Sequence, residues 1–181
     1  MKKISFKGIK FYSGNYHKIK NKFDNGGVLV APAASALANI ENDNLYFSSL
    51  KKSNIAILDS GLFCILLRLF KFEKVKKLSG FLFLKNFLDE NKNKDKILFI
   101  DPSKKSNIVN HKFLKSKKIY NFKSYVAPKY KRNIRDPILK QIVNKFKPKY
   151  IVMNIGGGTQ EPLAIYLRNE IRFKLRIMCT G

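Results

Sequence analysis

The chain has no tryptophan, two cysteines, two histidines, six prolines and only 12 acidic residues among 181. Each scarcity removes a class of explanation. Cys64 and Cys179 stand alone, without CxxC or CxxH spacing, and His17 and His111 lie far apart in sequence, so neither a disulfide framework nor a metal site is expected. Both cysteines fall in apolar runs, LFCILL and RIMCTG, where a buried reduced thiol is the ordinary outcome, and the cytoplasm is the fitting compartment. The longest apolar stretch, Gly61 to Phe70, is interrupted by Arg68 and falls short of the roughly 20 residues a membrane span needs. The amino terminus, MKKISFKGIKF, alternates basic with apolar residues where a signal peptide would have a continuous apolar centre.

Positive charge is what the chain has in excess: 37 Lys and Arg against those 12 acids, a formal +25 at pH 7. Lys, Asn, Ile and Phe crowd the chain as they do in AT-rich coding sequences, so part of the excess is compositional. The remainder points to phosphate as partner chemistry. Nucleic acid is one source, through counterion release. An anionic bilayer is a second, at roughly 1 kcal/mol per basic residue near the surface, and a diphosphate ligand is a third. Net charge speaks to association and does not choose among them.

Length and a 45% hydrophobic content fit one domain with one buried core, here residues 1–181. Short β-rich runs alternate with helical patterns, which predicts an α/β, Rossmann-like domain whose mostly parallel sheet is covered by helices. Strands are expected at Gly27 to Pro32, Ile55 to Asp59, Lys96 to Asp101, Lys118 to Phe122, Tyr150 to Ile155 and Leu175 to Cys179. Helices are expected at Ser35 to Lys52 with a break near Asp43, then Ser60 to Phe70, Gly80 to Glu90, Pro137 to Phe146 and Gln160 to Glu170. The stretch through Phe23 reads as a β-hairpin or strand pair at the sheet edge, while Asp89 to Lys96 and the basic Lys123 to Arg135 read as less ordered. The last residues, Cys179-Thr180-Gly181, read as the end of a core strand without its covering helix, so a truncated chain is expected.

In open α/β sheets ligands bind beyond the carboxyl ends of the strands, and four such ends carry candidate chemistry. Asp59 closes IAIL and precedes Ser60 and Gly61; it reads either as an N-cap of the following helix or as a general base at the mouth of a site. Gly156-Gly157-Gly158-Thr159 opens the helix beginning Gln160-Glu161, where bare backbone N–H groups and a helix start suit a phosphate, or where the chain simply turns tightly. The spacing is neither a Walker loop nor a dinucleotide fingerprint. Ala31-Pro32-Ala33-Ala34-Ser35 is built of small residues that leave room for a ligand or allow close helix–sheet packing. At Asp101-Pro102-Ser103-Lys104 a plain turn with an N-cap is the better reading.

Taken in order, VLVAPAASALA, AILDSG, KLSGFLFLKNFL, ILFIDPSKKSN, YIVMNIGGGTQEPLAIYL and LRIMCTG resemble the WecG/TagA/CpsF glycosyltransferases, glycosyltransferase family 26, over about Gly27 to Gly181. The resemblance implies an inverting transfer that needs no metal or other cofactor. A sugar, N-acetylmannosamine or a related one, would move from a nucleotide-diphosphate donor to a lipid-linked saccharide acceptor in cell-surface polysaccharide synthesis, at the inner face of a bacterial cell membrane. It makes Asp59 the base that takes the acceptor proton. It also places Ala31, Ala33, Ser35, Ser60, Gly61, Gly156, Gly157, Gly158, Thr159, Gln160 and Glu161 at substrate or nucleotide. An anionic membrane surface and a homo-oligomer are the partners considered with it.

The sequence departs from the family pattern in places. Ala31 and Ala33 stand where many members carry Thr and Asn, and the glycine loop lacks a Pro-Lys step before Gln-Glu. The basic and apolar carboxyl-terminal appendage that completes the family's site and touches the membrane is expected to be missing. For Glu161 and Pro162 the plain alternative is a favourable first helical turn. Two further readings compete: a non-catalytic relative, and a basic nucleic-acid-binding domain using Lys123 to Arg135, for which no helix-turn-helix, zinc or RNP-like pattern speaks.

Overall fold

A hairpin opens the chain: β1 (Lys2–Phe6) pairs antiparallel with β2 (Ile9–Ser13), turning at Lys7 and Gly8, both at positive φ. Two such residues make the tight turn whose twist suits paired strands. The computed structural model describes residues 1–71, 74–131 and 134–181. The expected strand pair ends at Ser13, and α1 (Tyr16–Phe23) follows, capped by the Asn15 side chain, which accepts from the Lys18 N–H. Tyr16, Ile19 and Phe23 are its buried residues, a helical spacing that the strand expectation overlooked.

Next come β3 (Gly27–Val30), α2 (Ala34–Ala38), a 3₁₀ turn (Ile40–Asn42), α3 (Asn44–Lys52), β4 (Ile55–Ile57), α4 (Gly61–Lys71) and α5 (Gly80–Asn91). The break near Asp43 is where its side chain caps α3 by accepting from the Tyr46 N–H. The remainder is β5 (Ile97–Asp101), α6 (Lys104–Ser116), β6 (Phe122–Val126), α7 (Pro137–Phe146), β7 (Tyr150–Met153), α8 (Gln160–Glu170) and β8 (Arg176–Cys179).

Four readings need correction here. α6 was not foreseen, because its sequence KKSNIVNHKFLKS fully buries only Leu114 and shows no strong apolar face. The strand expected at Lys118 to Phe122 instead runs from Phe122 to Val126, in register with Ile97 to Asp101 of β5. The basic segment from Lys123 therefore begins as an edge strand whose half-exposed residues give it the composition of a loop; Arg132 and Asn133 of that segment lie outside the described residues. Asp89 to Asn91 finish α5, so the charged loop starts at Lys92.

The eight strands form one sheet in the order β1-β2-β4-β3-β8-β7-β5-β6, and every neighbouring pair except β1·β2 is parallel. The domain is a single α/β unit. Alternate strand residues feed two cores: Val28, Val30 and Ile151 pack with α3, α4, α7 and α8, whereas Leu29, Ile57 and Phe99 pack with α1, α5 and α6. Cover on both faces is why the inner strands are continuously apolar. Strand order has a direct consequence for function. β4, β3, β8 and β7 are adjacent, so the segments leaving their carboxyl ends, distant in sequence, arrive side by side.

Candidate functional site

Those segments enclose a cavity of about 270 Å³, lined by residues that follow β3 (Ala31, Pro32, Ala33, Ala36), β4 (Asp59), β7 (Gly157, Gln160, Glu161) and β8 (Thr180, Gly181), with Tyr46 of α3 and Gly80 and Phe81 of α5. Of the residues singled out from sequence, Asp59, Ala31, Ala33, Gly157, Gln160 and Glu161 meet there. Ser35, Ser60, Gly61, Gly156, Gly158 and Thr159 are not among its lining residues.

Asp59 does not cap the helix that follows it. Ser60 does, its Oγ accepting the Phe63 N–H at 3.2 Å. Asp59 sits one residue earlier and turns to the start of α5, where its Oδ1 accepts the Gly80 N–H at 2.8 Å. A carboxylate is stabilised at such a helix start by the partial positive charge of the free N–H groups. Its Oδ2 takes no hydrogen bond from the described residues, so one oxygen of this cavity-lining side chain is held and the other is unengaged.

Gly80 explains Ala31. A Cβ on Gly80 would lie 2.9 Å from the Ala31 Cβ, closer than carbon atoms tolerate, with the Thr180 Cβ next at 3.4 Å. Small residues at 31 and 80 let α5 approach β3 closely enough to hand its first N–H to Asp59. Ala31 thus serves both of its sequence readings, close packing and cavity wall.

The glycine loop divides in two. Gly158 has φ +82, a conformation that favours glycine, and its N–H donates to Glu161 Oε2 at 2.8 Å. Its N–H is therefore taken. The N–H groups of Thr159 and Gln160 both return to the Gly156 carbonyl, at 3.3 and 3.2 Å. Gly156 and Gly157 differ: neither has a positive φ, and a Cβ on either would meet nothing within 4 Å. Nothing in the local fold demands glycine at these two positions, and Gly157 faces the cavity.

Glu161 is 1% exposed, and its Oε1 also accepts from the Gln160 Nε2 at 3.2 Å. Burial pushes its acid up to about 7, against the pull of the donated hydrogen bonds, which favour the ionised form. Gln160 also binds the backbone of Gly181 at both ends of its amide, fastening α8 to the segment after β8. Tyr46, buried and near the Glu161 charge, has its hydroxyl pushed well above the usual tyrosine range, chiefly by desolvation, and so remains a donor. Thr180 Oγ1 is a buried side-chain oxygen without a partner among the described residues.

The remaining strand end behaves differently. Ser103 caps α6 by accepting from the Ser106 N–H, as expected of that turn, while Asp101 is 1% exposed and accepts from the side-chain amides of Asn107, Asn110 and Asn154 at 2.9, 3.0 and 2.9 Å. It does not line the cavity. Among the described residues no group of three or more His, Cys, Asp or Glu could hold a metal ion, and no helix is long and apolar enough to cross a membrane.

Sequence reasoning missed Tyr46, Gly80, Phe81 and Thr180. Only Gly80 carried a legible signal: Ser79-Gly80 repeats the Ser60-Gly61 step, and both open helices beside Asp59. Against known families, residues 4–181 match the Glycosyl transferase WecG/TagA/CpsF family. No curated protein matches the chain.

Proposed function

The chain belongs to the WecG/TagA/CpsF glycosyltransferase family, and from that premise we propose that its cavity transfers a sugar, N-acetylmannosamine or a related one, from a nucleotide-diphosphate donor to a lipid-linked saccharide. The work would be done at the inner face of the cell membrane in polysaccharide biosynthesis. Asp59 Oδ2 takes the proton of the acceptor hydroxyl. The acceptor oxygen then bonds to the anomeric carbon as the bond from that carbon to the diphosphate breaks on the opposite face, which inverts the anomeric centre. The Gly80 N–H holds the other carboxylate oxygen, so the base keeps one orientation throughout.

The departing diphosphate gathers negative charge, which fixed donors nearby stabilise. Gly157, with no side chain and open space before it, lets backbone N–H groups come close. Lys77 supplies a cation: its Nζ lies 3.9 Å from where a Gly61 Cβ would be, at the start of α4. Tyr46 offers a neutral donor to a sugar hydroxyl, while Gln160, whose amide is engaged with Glu161 and Gly181, shapes the wall.

The observation that carries this reading is the half-free Asp59 carboxylate, set in a cavity at the carboxyl ends of four adjacent strands. The test is mass-spectrometric detection of the product when the chain is mixed with a nucleotide-sugar donor and a lipid-diphosphate-sugar acceptor. Binding of the free nucleoside diphosphate is measured alongside. Binding without transfer would favour a non-catalytic relative, and neither would end the proposal.

A further inference from the structure

α4 is apolar well beyond its buried side, with Arg68 the one charged residue before its last. Phe63, Cys64 and Leu67 face the core, yet Leu62, Ile65, Leu66 and Leu69, spaced one helical face apart, stay in solvent with Phe70 beyond them. Leu62, Leu69 and Phe70 are 60%, 63% and 77% exposed, values that a helix buried on one side has no reason to show with such residues. Across the sheet, at the start of α5, Phe81, 75% exposed, and Leu82 are exposed as well. Between α4 and α2 runs an apolar groove of about 300 Å³, walled by Phe6, Leu37, Leu62, Leu66 and Phe70.

Charge identifies what covers this face. From Ser60 to Leu88 the sequence holds six basic residues and one acid, Glu73. Lys74, Lys76 and Lys77 follow α4 and are exposed. We propose that this face seats the chain on an anionic lipid bilayer, with α4 lying in the interfacial plane and Lys74 and Lys76 among the headgroups. Bulky apolar side chains on one face flanked by lysines are the composition of an interfacial helix. A second copy fits less well: each chain carries a formal +25, and pairing two copies through this face would bring their lysines together. A bilayer of anionic lipid neutralises them instead.

α4 starts at Gly61, two residues after the cavity-lining Asp59, so the same seating holds the cavity mouth near the headgroups, where a lipid-linked acceptor presents its sugar. Only this last consequence rests on the proposed transfer.

The experiment is co-sedimentation of the full chain with vesicles of equal parts phosphatidylglycerol and phosphatidylcholine, and with phosphatidylcholine alone. The unsubstituted chain should prefer the anionic vesicles and be released by salt. The combined variant Leu62→Ser, Leu69→Ser, Phe70→Ser changes exposed side chains and should lower the partition coefficient at least about tenfold. Ile138→Ser, equally exposed on α7, should leave it unchanged. Lys74→Gln and Lys76→Gln together should cost about thirtyfold at low salt. Undiminished binding by the apolar variant would overturn the proposal. So would a dimer of the unsubstituted chain in light scattering that the apolar variant reduces to a monomer. No sugar donor is present in the vesicle assay, so a chain that binds but transfers nothing refutes the transfer alone.

Discussion

Asp59 and Asp101 look alike in sequence, each at the carboxyl end of a parallel strand and preceding a serine that caps the next helix, yet their surroundings are opposite. Asp101 is 1% exposed, and both its oxygens are occupied by three asparagine amides. Asp59 is half-buried, gives one oxygen to a single backbone N–H and keeps the other free. A carboxylate whose oxygens are all engaged is a fastener, because releasing one to a substrate would strand a buried donor. A carboxylate held by one oxygen is oriented without being used up.

The sharpest way to break this comparison is the same substitution at both positions. Asp59→Asn keeps an oxygen for the Gly80 N–H but cannot act as a base, so transfer should fall by roughly 10²- to 10⁴-fold while the melting temperature hardly moves. Retained transfer would remove Asp59 from the chemistry. Asp101→Asn should do the reverse. It replaces an acceptor-only group by one whose NH₂ faces other NH₂ groups, and at least one of the three amides loses its partner. The expected cost is about 3 kcal/mol of stability by urea unfolding, with the activity of the folded fraction little changed. If Asp101→Asn instead abolished transfer at full stability, the two aspartates would have to exchange roles.

How much of this was legible follows from what each aspartate's partners are. The strands carrying Asp59 and Asp101 were readable because both sheet faces are covered and the runs IAIL and ILFI are therefore unbroken. The gathering of Asp59, Ala31 and Gly157 at one cavity depends on strand order, which periodicity does not encode; what the sequence offered was that each follows a strand. Asp59's actual partner lies 21 residues away, so the local capping pattern pointed at the wrong helix. Asp101's partners on α6 were invisible because α6 buries too little to show a face. Tyr46 reaches the cavity from a helix whose apolar pattern reads only as core.

A third carboxyl sharpens the contrast by being buried beside the cavity instead of fastened away from it. Burial holds the Glu161 acid at about 7, compared with 4.5 for an exposed glutamate. Between those values the unfolded chain has released a proton that the folded chain keeps. Stability therefore falls as pH rises through that window, in total by about 3 kcal/mol for a shift of this size. Glu161→Gln keeps an acceptor for the Gly158 N–H and has no proton to lose, so its stability should change less between pH 5 and pH 8 than that of the parent. Urea unfolding of both at the two pH values measures the difference, and parallel slopes would mean that Glu161 is ionised in the fold throughout.

The smallest expected effect tests whether open space beside Asp59 is ligand space, using two neighbouring glycines as each other's control. Gly158 sits at φ +82, where an added Cβ is strained, so Gly158→Ala should lose roughly 1 kcal/mol of stability. Gly157 has no such φ, and its Cβ would meet nothing within 4 Å, so Gly157→Ala should be neutral or slightly stabilising through the reduced freedom of the unfolded chain. A ligand that approaches the backbone at 157 would nonetheless meet the new methyl. Gly157→Ala should then weaken binding of the nucleoside diphosphate, measured by calorimetry, about tenfold, close to 1.4 kcal/mol, at unchanged melting temperature. Gly158→Ala should show the opposite pattern, a lowered melting temperature with binding to the folded fraction largely kept. If Gly157→Ala bound the diphosphate as tightly as the parent, the phosphate would have to lie elsewhere along the cavity, and the start of α4 beneath Lys77 would be the next place to substitute.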